Sequence, residues 1–499
     1  MPRFLISETV KHVGEKVKVA GWVNVRRAHG KIVFIDLRDK SGVLQCVFVP
    51  SNKEAYEAVA EVRPEWVVEL VGQILQRPEK MVNPEIPTGT VEMGVEQVRV
   101  ISKAQTLPFA VDTDGKELGE EIRMKYRYLD LRRQRMKHNL IMRHQIALFM
   151  RNFLSGEGFT EIETPMLTKS TPEGARDFVV PSRLHAGKFY ALPQSPQQYK
   201  QLLMVAGLEK YFQIARAMRD EDLRGDRQPE HTQLDMEMSF IERDDFLDLF
   251  ERLLIQLVQT VFPEKKIQQI PFPRIPYKEA MEKYGSDKPD LREDKNDKNT
   301  LAFCWIIDFP YFEKSDPAVS MKKSEWTFVH NPFSAPKPEF MDDLMQGKNI
   351  GNIVANQYDI AMNGWELGSG GIRNNSPEAI TKVFEIMGYE KEEIMEKFGH
   401  MIEAYTYGAP KHGGIGFGLD RFVALLLGEP NIREVIAFPK TGDGRDLMMD
   451  APSEIYDKQL KELHISVANP KSQDALPTGR QANHKQIPNS KVKKEKRDK

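Results

Sequence analysis

The sequence predicts an α+β protein with an N-terminal β-barrel followed by a larger domain of antiparallel strands and helices. Three observations carry this prediction. Several short apolar strands follow one another at close spacing between residues 15 and 105, which is typical of a small barrel. A strand, a charged loop and a second strand span 211–240, which predicts a long antiparallel hairpin. Apolar residues recur at helical spacing in 139–155 and 244–262, which predicts amphipathic helices.

Composition restricts the class of protein. The chain has 499 residues, enough for two or three domains, and a formal net charge of only −2, so affinity for RNA must come from local patches. Cys46 and Cys304 fit no metal spacing and no disulfide framework, which favours a reducing cytoplasm. No apolar run reaches the length of a membrane span, and the N-terminus lacks a signal-peptide pattern, so we expect a cytoplasmic protein without a membrane partner.

The N-terminal strands carry a candidate nucleic-acid surface. Arg27, Phe34 and Gln45 put a positive charge, an aromatic ring and an amide on neighbouring predicted strands. An OB-fold holds single-stranded nucleic acid with aromatic stacking in a basic groove. The alternative is that Phe34 belongs to the barrel core and the arginine is an ordinary surface residue. The residues alone leave both interpretations open.

The hairpin YFQIARAMRDEDLRGDRQPEHTQLDMEMSF is the strongest chemical signal in the second domain. Arg219 and Arg227 flank its predicted tip, and a guanidinium recognises phosphate through two parallel hydrogen bonds. A charge run of this kind is also common at a solvated hairpin tip. The full order of apolar strand, Arg-x-Glu, loop, Arg and second strand favours a nucleotide site.

Two further stretches could hold an acidic amino acid. Glu173 lies in a Pro-Gly loop, and Gln197 and Lys200 fall on one face if QQYKQLLMVAG is helical. A carboxylate would bind the ammonium group of such a ligand, and a cation would bind its carboxylate. Taken singly, Glu173 and Lys200 would more often be surface charges.

The C-terminal half adds carboxylates and arginines. Asp359 and Glu366 are seven residues apart, so a flat strand would not put them on one face unless a bulge or turn near Asn363 corrects the register. Two such carboxylates suit Mg²⁺ beside a triphosphate. Arg373 follows a Gly-rich turn and could bind a carboxylate through both of its nitrogens.

The stretch GFGLDRFVALLLG predicts a glycine-rich strand, 413–418, followed by a helix with Arg421 in its first turn. A helix N-terminus and an arginine together favour an anionic phosphate. A further helical stretch is predicted at 377–398. A glycine-rich strand before a helix is weak evidence alone, because many nucleotide-binding folds contain one.

Taken in order, these stretches resemble the three motifs of the class II aminoacyl-tRNA synthetases. The helix and strand of HNLIMRHQIALFMRNFLSGEGFTEIETPML are similar to motif 1, the hairpin to motif 2, and GFGLDRF to motif 3. The wording is most similar to the bacterial aspartyl-type members, over 17–466. The resemblance implies an OB-fold anticodon-binding domain, an antiparallel catalytic sheet flanked by helices, and a homodimer through motif 1. It also implies that ATP and L-aspartate form an adenylate, which is transferred to tRNA(Asp), with tRNA(Asn) left open.

The resemblance also assigns roles to individual residues. Arg219 and Arg421 would be catalytic. The aspartate-binding residues would be Glu173, Gln197, Lys200, Arg219, His330 and Arg373. ATP would be held by Arg219, Asp220, Glu221, Arg227, Gln228, His231, Glu366, Gly418, Leu419, Asp420 and Arg421. Mg²⁺ would be held by Asp359 and Glu366, and the anticodon by Arg27, Phe34, Gln45 and Glu92.

The chain departs from the family at two positions and lacks one segment. His231 stands where the family has a Phe stacked on adenine, and Asn331 follows His330 where a second His is usual. The polar bridge EDKNDKN near 286–300 stands where bacterial aspartyl-type enzymes carry an inserted domain. The predicted organisation is therefore an anticodon domain at 1–106, a hinge at 107–132, a catalytic domain at 133–466 and a disordered basic tail at 467–499.

Three alternatives remain open. An asparaginyl- or lysyl-type sibling would share the barrel and motifs, although Lys200 with Arg373 favours a substrate with a carboxylate side chain. A synthetase-like asparagine synthetase would lack the N-terminal barrel. A catalytically silent tRNA-binding paralogue should have lost motif arginines, whereas Arg219 and Arg421 are both present.

Overall fold

The N-terminal part of the computed structural model is a closed five-stranded barrel with strand order β1-β2-β3-β5-β4. The structure describes residues 1–171, 173–315 and 324–468. The predicted tail beyond 468 lies outside these residues. The elements of the barrel are β1 Lys16–His29, β2 Ile32–Arg38, β3 Val43–Phe48, helix α1 Lys53–Glu61, β4 Val67–Gln76 and β5 Val91–Ser102.

Alternation along the barrel strands separates the core from the outer face. Val33, Ile35 and Leu37 of β2 point into the barrel core, whereas Phe34 between them is only half-buried. Successive side chains of a strand point to opposite faces, so Phe34 lies on the outer face with its cross-strand neighbour Arg27. The interpretation of Phe34 as a core residue is therefore wrong.

An eight-stranded sheet forms the centre of the second domain, in the order β12-β14-β17-β18-β19-β10-β9-β6. Its inner pairs are antiparallel, and only the edge pairs β12–β14 and β6–β9 are parallel. The α+β fold class is confirmed. The strands of this sheet are β6 Thr160–Glu161, β9 Lys210–Met218, β10 Glu230–Ser239, β12 Arg274–Pro276, β14 Phe303–Ile307, β17 Gln357–Met362, β18 Trp365–Ile372 and β19 His412–Gly418.

Among the residues that the structure describes, three two-stranded sheets lie outside the central one. They pair β7 Val179–Pro181 with β8 Phe189–Ala191, β11 Lys266–Ile267 with β13 Thr300–Leu301, and β15 Phe312–Lys314 with β16 Trp326–Phe328. The helices of the second domain and of the stretch before it are α2 Glu120–Lys125, α3 Arg127–Asp130, α4 Gln134–Gly156, α5 Gln197–Val205, α6 Arg243–Val261, α7 Tyr277–Tyr284, α8 Met341–Gln346, α9 Pro377–Ile386, α10 Lys391–Thr406, α11 Leu419–Leu426 and α12 Asp457–Glu462.

The predicted hairpin is formed by β9 and β10, which pair from Lys210 with Met238 to Met218 with Glu230. Leu234, Met236 and Met238 of β10 enter the apolar core that α4 and α6 help to form. Gln233, Asp235 and Glu237 occupy the alternate positions and are also buried. A strand that buries polar side chains on one face must supply partners for them, and this face carries the candidate site.

Two helix predictions need correction. The stretch 377–398 is two helices, because Gly388 lies between α9 and α10 with a φ of 82°, a left-handed conformation that ends a helix. In α4, Ile146 and Met150 are buried as their spacing predicts, but Ile141 is 48% exposed together with Leu148 at 44%. Ile141 and Leu148 are seven residues apart and therefore form an outward apolar stripe.

A buried charge cluster joins the predicted hinge to the catalytic domain. Asp130, fully buried at the end of α3, accepts hydrogen bonds from Arg123 Nε at 3.1 Å, Arg127 Nη1 at 2.7 Å and Arg133 Nε at 2.8 Å. Arg127 also donates to three backbone carbonyls between residues 433 and 437. These contacts hold the hinge against the chain that follows α11.

Within the described ranges, none of the helices combines the length and the apolar character that crossing a bilayer requires.

We predict that Asp130→Asn destabilises the protein by about 3–5 kcal/mol, because it leaves buried arginines without their shared carboxylate. Asp248→Asn is the matched control, since Asp248 pairs with Arg274 at the surface with its side chain 68% exposed, and an exposed pair contributes about 1 kcal/mol or less. The midpoint of urea unfolding measures both changes. Equal shifts of the midpoint in the two variants would contradict the role given to Asp130.

Candidate active site

A polar cavity with a volume of about 290 Å³ opens on the face of the large sheet that carries Gln233 and Asp235. Motif stretches that are far apart in the sequence meet in its wall. Of the predicted site residues, the wall contains Glu173, Gln197, Arg219, Glu221, Arg227, Gln228, His231, His330, Glu366, Gly418, Asp420 and Arg421. The cavity adjoins a second one at Glu173 and Ser195 and an open depression at Asp226, Glu366 and Arg421.

The remaining predicted residues lie behind the wall or away from it. Lys200, Asp359 and Arg373 are buried behind the cavity surface. Leu419 is part of the apolar core, so only its backbone could meet a nucleotide. Asp220 lies outside the wall, and its carboxylate is 3.7 Å from Nε of Arg176. A direct contact of the Leu419 and Asp220 side chains with ATP is therefore not supported.

A cluster of four buried charged side chains lies behind the cavity. Arg373 donates from Nε and Nη2 to the two oxygens of Glu237, at 2.8 and 3.2 Å. Lys200 Nζ donates to Asp235 at 2.9 Å and lies 3.5 Å from Glu237. Burial opposes the ionisation of Glu237, but the charges of Arg373 and Lys200 outweigh it and lower its pKa. The cluster therefore holds two cations and two anions away from water, and Lys200 is not a surface charge.

Gly414 allows this cluster to lie close to the sheet. A Cβ at Gly414 would meet Glu237 Oε2 at 2.3 Å and the carbonyl oxygen of Met236 at 1.9 Å. The glycine-rich strand β19 therefore admits the side chain of a neighbouring strand at this position. A Cβ at Gly416 would instead lie 3.6–3.7 Å from the polar side chains of Gln233 and Asp235, which line the cavity.

Glu173 forms the wall between the main cavity and the second one. Its carboxylate accepts hydrogen bonds from Ser195 Oγ at 2.7 Å and Thr171 Oγ1 at 3.2 Å. Burial raises the pKa of Glu173 to about 6, even though both hydrogen bonds favour the ionised form. This carboxylate lines the cavity, where it can accept hydrogen bonds from an ammonium group.

Three arginines line the cavity wall, and one of them, Arg421, also borders the open depression. Arg227 pairs with Glu221 at 3.0 Å, and Arg421 pairs with the Asp226 carboxylate at 3.2 Å and donates to the Glu366 carbonyl at 3.1 Å. The guanidinium of Arg219 donates to the backbone carbonyl of Gln194, at 3.3 Å. Among the described residues no carboxylate lies within ion-pair distance of Arg219, which leaves its charge available to an anionic ligand.

His231 lies in the same wall and is held neutral. Burial and, after it, the charges of Arg219 and Arg421 lower its pKa to about 3. A protonated imidazole between two guanidinium groups would repel both. The flat neutral ring can stack on a base as a phenyl ring would.

Gln228 and His330 complete the predicted wall. Gln228 accepts a hydrogen bond from the backbone N–H of Lys440 at 2.7 Å. His330 packs edge-on against Phe309 with ring centroids 4.8 Å apart, and burial lowers its pKa. Asn331 at the usual second His position accepts a hydrogen bond from the N–H of Phe333 at 2.8 Å, which shapes the turn.

A β-bulge brings Asp359 and Glu366 together. β17 and β18 are joined by a turn in which Asn363 and Gly364 have positive φ, and their register shifts between Ile360 and Ala361. Burial and the nearby charge of Glu366 raise the pKa of Asp359 well above its ordinary value. This is the electrostatic setting of a carboxylate pair that a divalent cation stabilises. The described residues contain no group of three candidate metal ligands, so phosphate or water oxygens would have to complete the coordination.

The four predicted anticodon residues lie close together on the outer face of the barrel. Arg27 pairs with Asp36 through two contacts of 2.8 Å, beside its cross-strand neighbour Phe34. Gln45, opposite Asp36 on β3, donates to Glu92 at 2.8 Å. The half-exposed ring of Phe34 therefore lies beside polar side chains that hold one another in place through the Arg27–Asp36 and Gln45–Glu92 contacts.

Sequence reasoning gave no role to Asp235, Glu237, Ser195 or Gln233. Polar and apolar residues alternate in β10, which is typical of a half-buried strand, so the sequence did not indicate that Asp235 and Glu237 are buried. Ser195 and Gln233 carry no signal either, and only the fold brings them to the cavity.

Comparison with known families matches both domains. Residues 119–442 match the model of the class II tRNA synthetases (D, K and N), and residues 17–101 match that of the OB-fold nucleic acid binding domain. An aspartate–tRNA(Asp/Asn) ligase of Dictyoglomus turgidum is 42% identical over 92% of this chain and 97% of the relative. An aspartate–tRNA(Asp/Asn) ligase of Rubrobacter xylanophilus is 40% identical over 92% and 96%, and an aspartate–tRNA ligase of Staphylococcus carnosus 39% over 91% and 97%.

The alignment with the Rubrobacter relative spans 582 positions, more than the 499 residues of this chain, so that relative carries residues with no counterpart here. Solved structures with similar folds include asparaginyl-tRNA synthetase from Pyrococcus horikoshii with asparaginyl-adenylate, with a TM-score of 0.68, 20% identity and coverage of 86% and 96% of the two chains. The corresponding Entamoeba histolytica complex has a TM-score of 0.70, 24% identity and coverage of 88% and 98%.

We predict that the imidazole of His231 does not titrate between pH 5 and 8, because burial and two arginines hold its pKa at about 3. Histidine ring resonances followed by NMR across this range measure the effect, and the signal that disappears in His231→Phe identifies the residue. A midpoint near pH 6.5 for that signal would contradict the electrostatic account.

Proposed function

The chain belongs to the class II tRNA synthetases of the aspartate, lysine and asparagine group, and from this we propose that it is an aspartate–tRNA ligase. It activates L-aspartate with ATP and transfers the aspartyl group to the 3′ end of tRNA(Asp). Identity of about 40% to aspartate–tRNA ligases over nearly the whole of both chains supports this choice over the asparaginyl and lysyl siblings. The presence of Arg219, Arg373 and Arg421 in the folded site argues against a silent paralogue.

The observation that carries the proposal is the distribution of charge around the cavity. Glu173 offers a carboxylate to the α-ammonium group of an amino acid. Lys200 and Arg373 put two cations behind the wall, where they can attract the side-chain carboxylate. The guanidinium groups of Arg219, Arg227 and Arg421 line the cavity wall, and Arg421 also borders the open depression, so a triphosphate would find positive charge there.

In the activation step the α-carboxylate of aspartate attacks the α-phosphorus of ATP, an oxygen–phosphorus bond forms, and pyrophosphate leaves with the electron pair of the broken bond. The protein contributes position and charge, as in other transfers at phosphorus. Arg219 is the arginine without a carboxylate partner in the described structure, so it is free to neutralise the α-phosphate. Arg421 and Arg227 would release their carboxylate partners, Asp226 and Glu221, and bind oxygens of the γ-phosphate of ATP instead.

Asp359 and Glu366 are the residues that would hold Mg²⁺, which supplies positive charge to the phosphate oxygens when bound. The raised pKa of Asp359 supports this assignment, because a buried carboxylate beside the charge of Glu366 gains from a cation. His231 would stack its neutral ring on adenine in place of the phenyl ring of relatives, and the backbone of 418–420 would border the nucleotide.

Selection of aspartate over asparagine would depend on Arg373 and Lys200. Arg373 uses Nε and Nη2 for Glu237, and its Nη1 has no protein acceptor in the described part of the chain. The side-chain carboxylate of aspartate can accept a hydrogen bond from Arg373 Nη1 in either orientation. The side-chain amide of asparagine can turn its NH2 group toward Nη1, and two donors would then face each other. Sites built around buried polar groups reject such analogues strongly. Gln197 and His330 in the wall would contact the same substrate.

In the transfer step the terminal hydroxyl of tRNA attacks the carbonyl carbon of aspartyl-adenylate, and AMP leaves. The barrel would recognise the anticodon, with Phe34 stacked on a base and Arg27, Gln45 and Glu92 around it. A second candidate substrate is tRNA(Asn), favoured by the names of the Dictyoglomus and Rubrobacter relatives.

Two further features support proposals about the oligomeric state of the protein and its cellular compartment. The exposed stripe of Ile141 and Leu148 on α4 gives an apolar surface for a homodimer contact. The buried thiols of Cys46 and Cys304 are unpaired, which fits a reducing cytoplasm as the proposed compartment.

Aminoacylation of purified tRNA(Asp) and tRNA(Asn) with labelled aspartate, side by side, tests the function. We expect aspartate to be attached to tRNA(Asp). Attachment to both would establish the second candidate, and attachment to neither, with an active control enzyme, would refute the proposal. Asparagine and lysine in place of aspartate should give no product.

We predict that the KM for aspartate rises as the pH falls below about 6, because the α-ammonium group needs ionised Glu173. The pKa of this carboxyl is about 6 in the free protein, so the KM should be constant above pH 7 and about tenfold higher at pH 5. Aspartate-dependent ATP–pyrophosphate exchange at saturating ATP measures it. Glu173→Gln should have a high KM at every pH, and the same inflection in that variant would assign the titration to another group.

We predict that Phe34→Ala raises the KM for tRNA by about fivefold or more, because a base stacked on an aromatic ring contributes about 1–3 kcal/mol. ATP–pyrophosphate exchange needs no tRNA and should be unchanged, which serves as the internal control. Phe34→Tyr keeps the aromatic face and should stay within about twofold of the natural protein. An unchanged KM for tRNA in Phe34→Ala would refute the proposed role of the barrel face.

A further inference from the structure

Arg143 lies on the inner face of α4, in the series of buried positions that includes Asn139, Ile146 and Met150. Its guanidinium forms a close ion pair with Asp420 and donates to the backbone carbonyl of Val435 at 3.4 Å. The side chain is 19% exposed and that of Asp420 only 3%. None of the roles proposed above includes Arg143.

The Asp420 carboxylate joins two walls of the cavity. One oxygen faces Arg143, and the other accepts a hydrogen bond from the backbone N–H of Thr232 at 2.9 Å. Thr232 follows His231 on β10, and Asp420 precedes Arg421 in the first turn of α11. This carboxylate therefore ties the strand that carries His231 to the helix that carries Arg421.

A buried carboxylate needs a cation, and for Asp420 that cation is Arg143. Without Arg143, the negative charge would have to be protonated or find another positive group. Arg421 is the next residue along the helix. Its guanidinium pairs with the partly exposed Asp226 carboxylate and donates to the backbone carbonyls of Asp226 and Glu366, so its one carboxylate partner there can be exchanged. Asp420 would then compete with phosphate for Arg421.

We propose that Arg143 is a positioning residue for ATP. By pairing with the Asp420 carboxylate, it keeps the guanidinium of Arg421 directed into the cavity, at a set distance from His231. This inference rests on the proposed function, because it concerns the ATP used in activation. Arg143 does not line the cavity, so it acts through Asp420 and does not touch the nucleotide.

The test compares Arg143→Met, Arg143→Lys and Arg252→Met in ATP–pyrophosphate exchange. Arg252 is the matched control, since it forms an exposed two-fold contact with Glu157 at 2.9 and 3.1 Å and lies outside the cavity wall. We expect Arg143→Met to raise the KM for ATP by about tenfold and to leave the KM for aspartate within about twofold. Arg143→Lys should give a rise of about threefold, because an ammonium keeps the charge but not the second contact. Arg252→Met should change neither constant.

A double variant separates positioning from folding. Asp420→Asn removes the charge that Arg143 occupies, so Arg143→Met with Asp420→Asn should have a lower KM for ATP than Arg143→Met alone. An unchanged KM for ATP in folded Arg143→Met, or equal rises for ATP and aspartate, would overturn the inference. If Arg143→Met does not fold, Arg143→Lys decides: an unchanged KM for ATP overturns the inference. Absence of exchange in the natural protein would instead refute the proposed function.

Discussion

The buried cluster of Lys200, Asp235, Glu237 and Arg373 is the constraint on which the rest of the site depends. It joins α5, β10 and the end of β18, and it requires glycine at 414 in β19, because Glu237 occupies the space of a side chain there. Two cations can be held away from water beside a cavity only if anions accompany them. Removing either acid would leave an unpaired cation where an amino acid is proposed to bind.

A second constraint operates at the nucleotide end. Every arginine there has a weak or exchangeable partner: Asp226 for Arg421, Glu221 for Arg227 and a backbone carbonyl for Arg219. By contrast, two buried acids are paired with buried or mostly buried arginines: Glu237 behind the wall with Arg373, and Asp420 in the wall with Arg143. The site thus separates permanent pairs, which hold the walls, from pairs that a triphosphate can replace.

Much of this architecture follows from local sequence. The barrel, the β9–β10 hairpin and the strand–helix order of β19 and α11 are visible as periodicity and turn residues, and the resemblance to three family motifs names the residues of the wall. The ion pairs that stabilise the buried charges of the site join residues that are far apart in the sequence. Arg373 and Glu237 are 136 residues apart, and Arg143 and Asp420 are still further apart. Periodicity cannot reveal such pairs. The break between α9 and α10 at Gly388 was missed because the apolar spacing continues across it, and the bulge in β18 was predicted only as one way to reconcile Asp359 with Glu366.

The central claim is that Arg373 and Lys200 select the substrate's side-chain carboxylate from behind the cavity wall. A crystal structure with a non-hydrolysable analogue of aspartyl-adenylate tests it most directly. The account predicts the β-carboxylate within hydrogen-bond distance of Arg373 Nη1 and Lys200 Nζ, with the α-ammonium group at Glu173 and Arg373 still paired with Glu237. A β-carboxylate bound elsewhere in the cavity, with both cations contacting only Asp235 and Glu237, would contradict it.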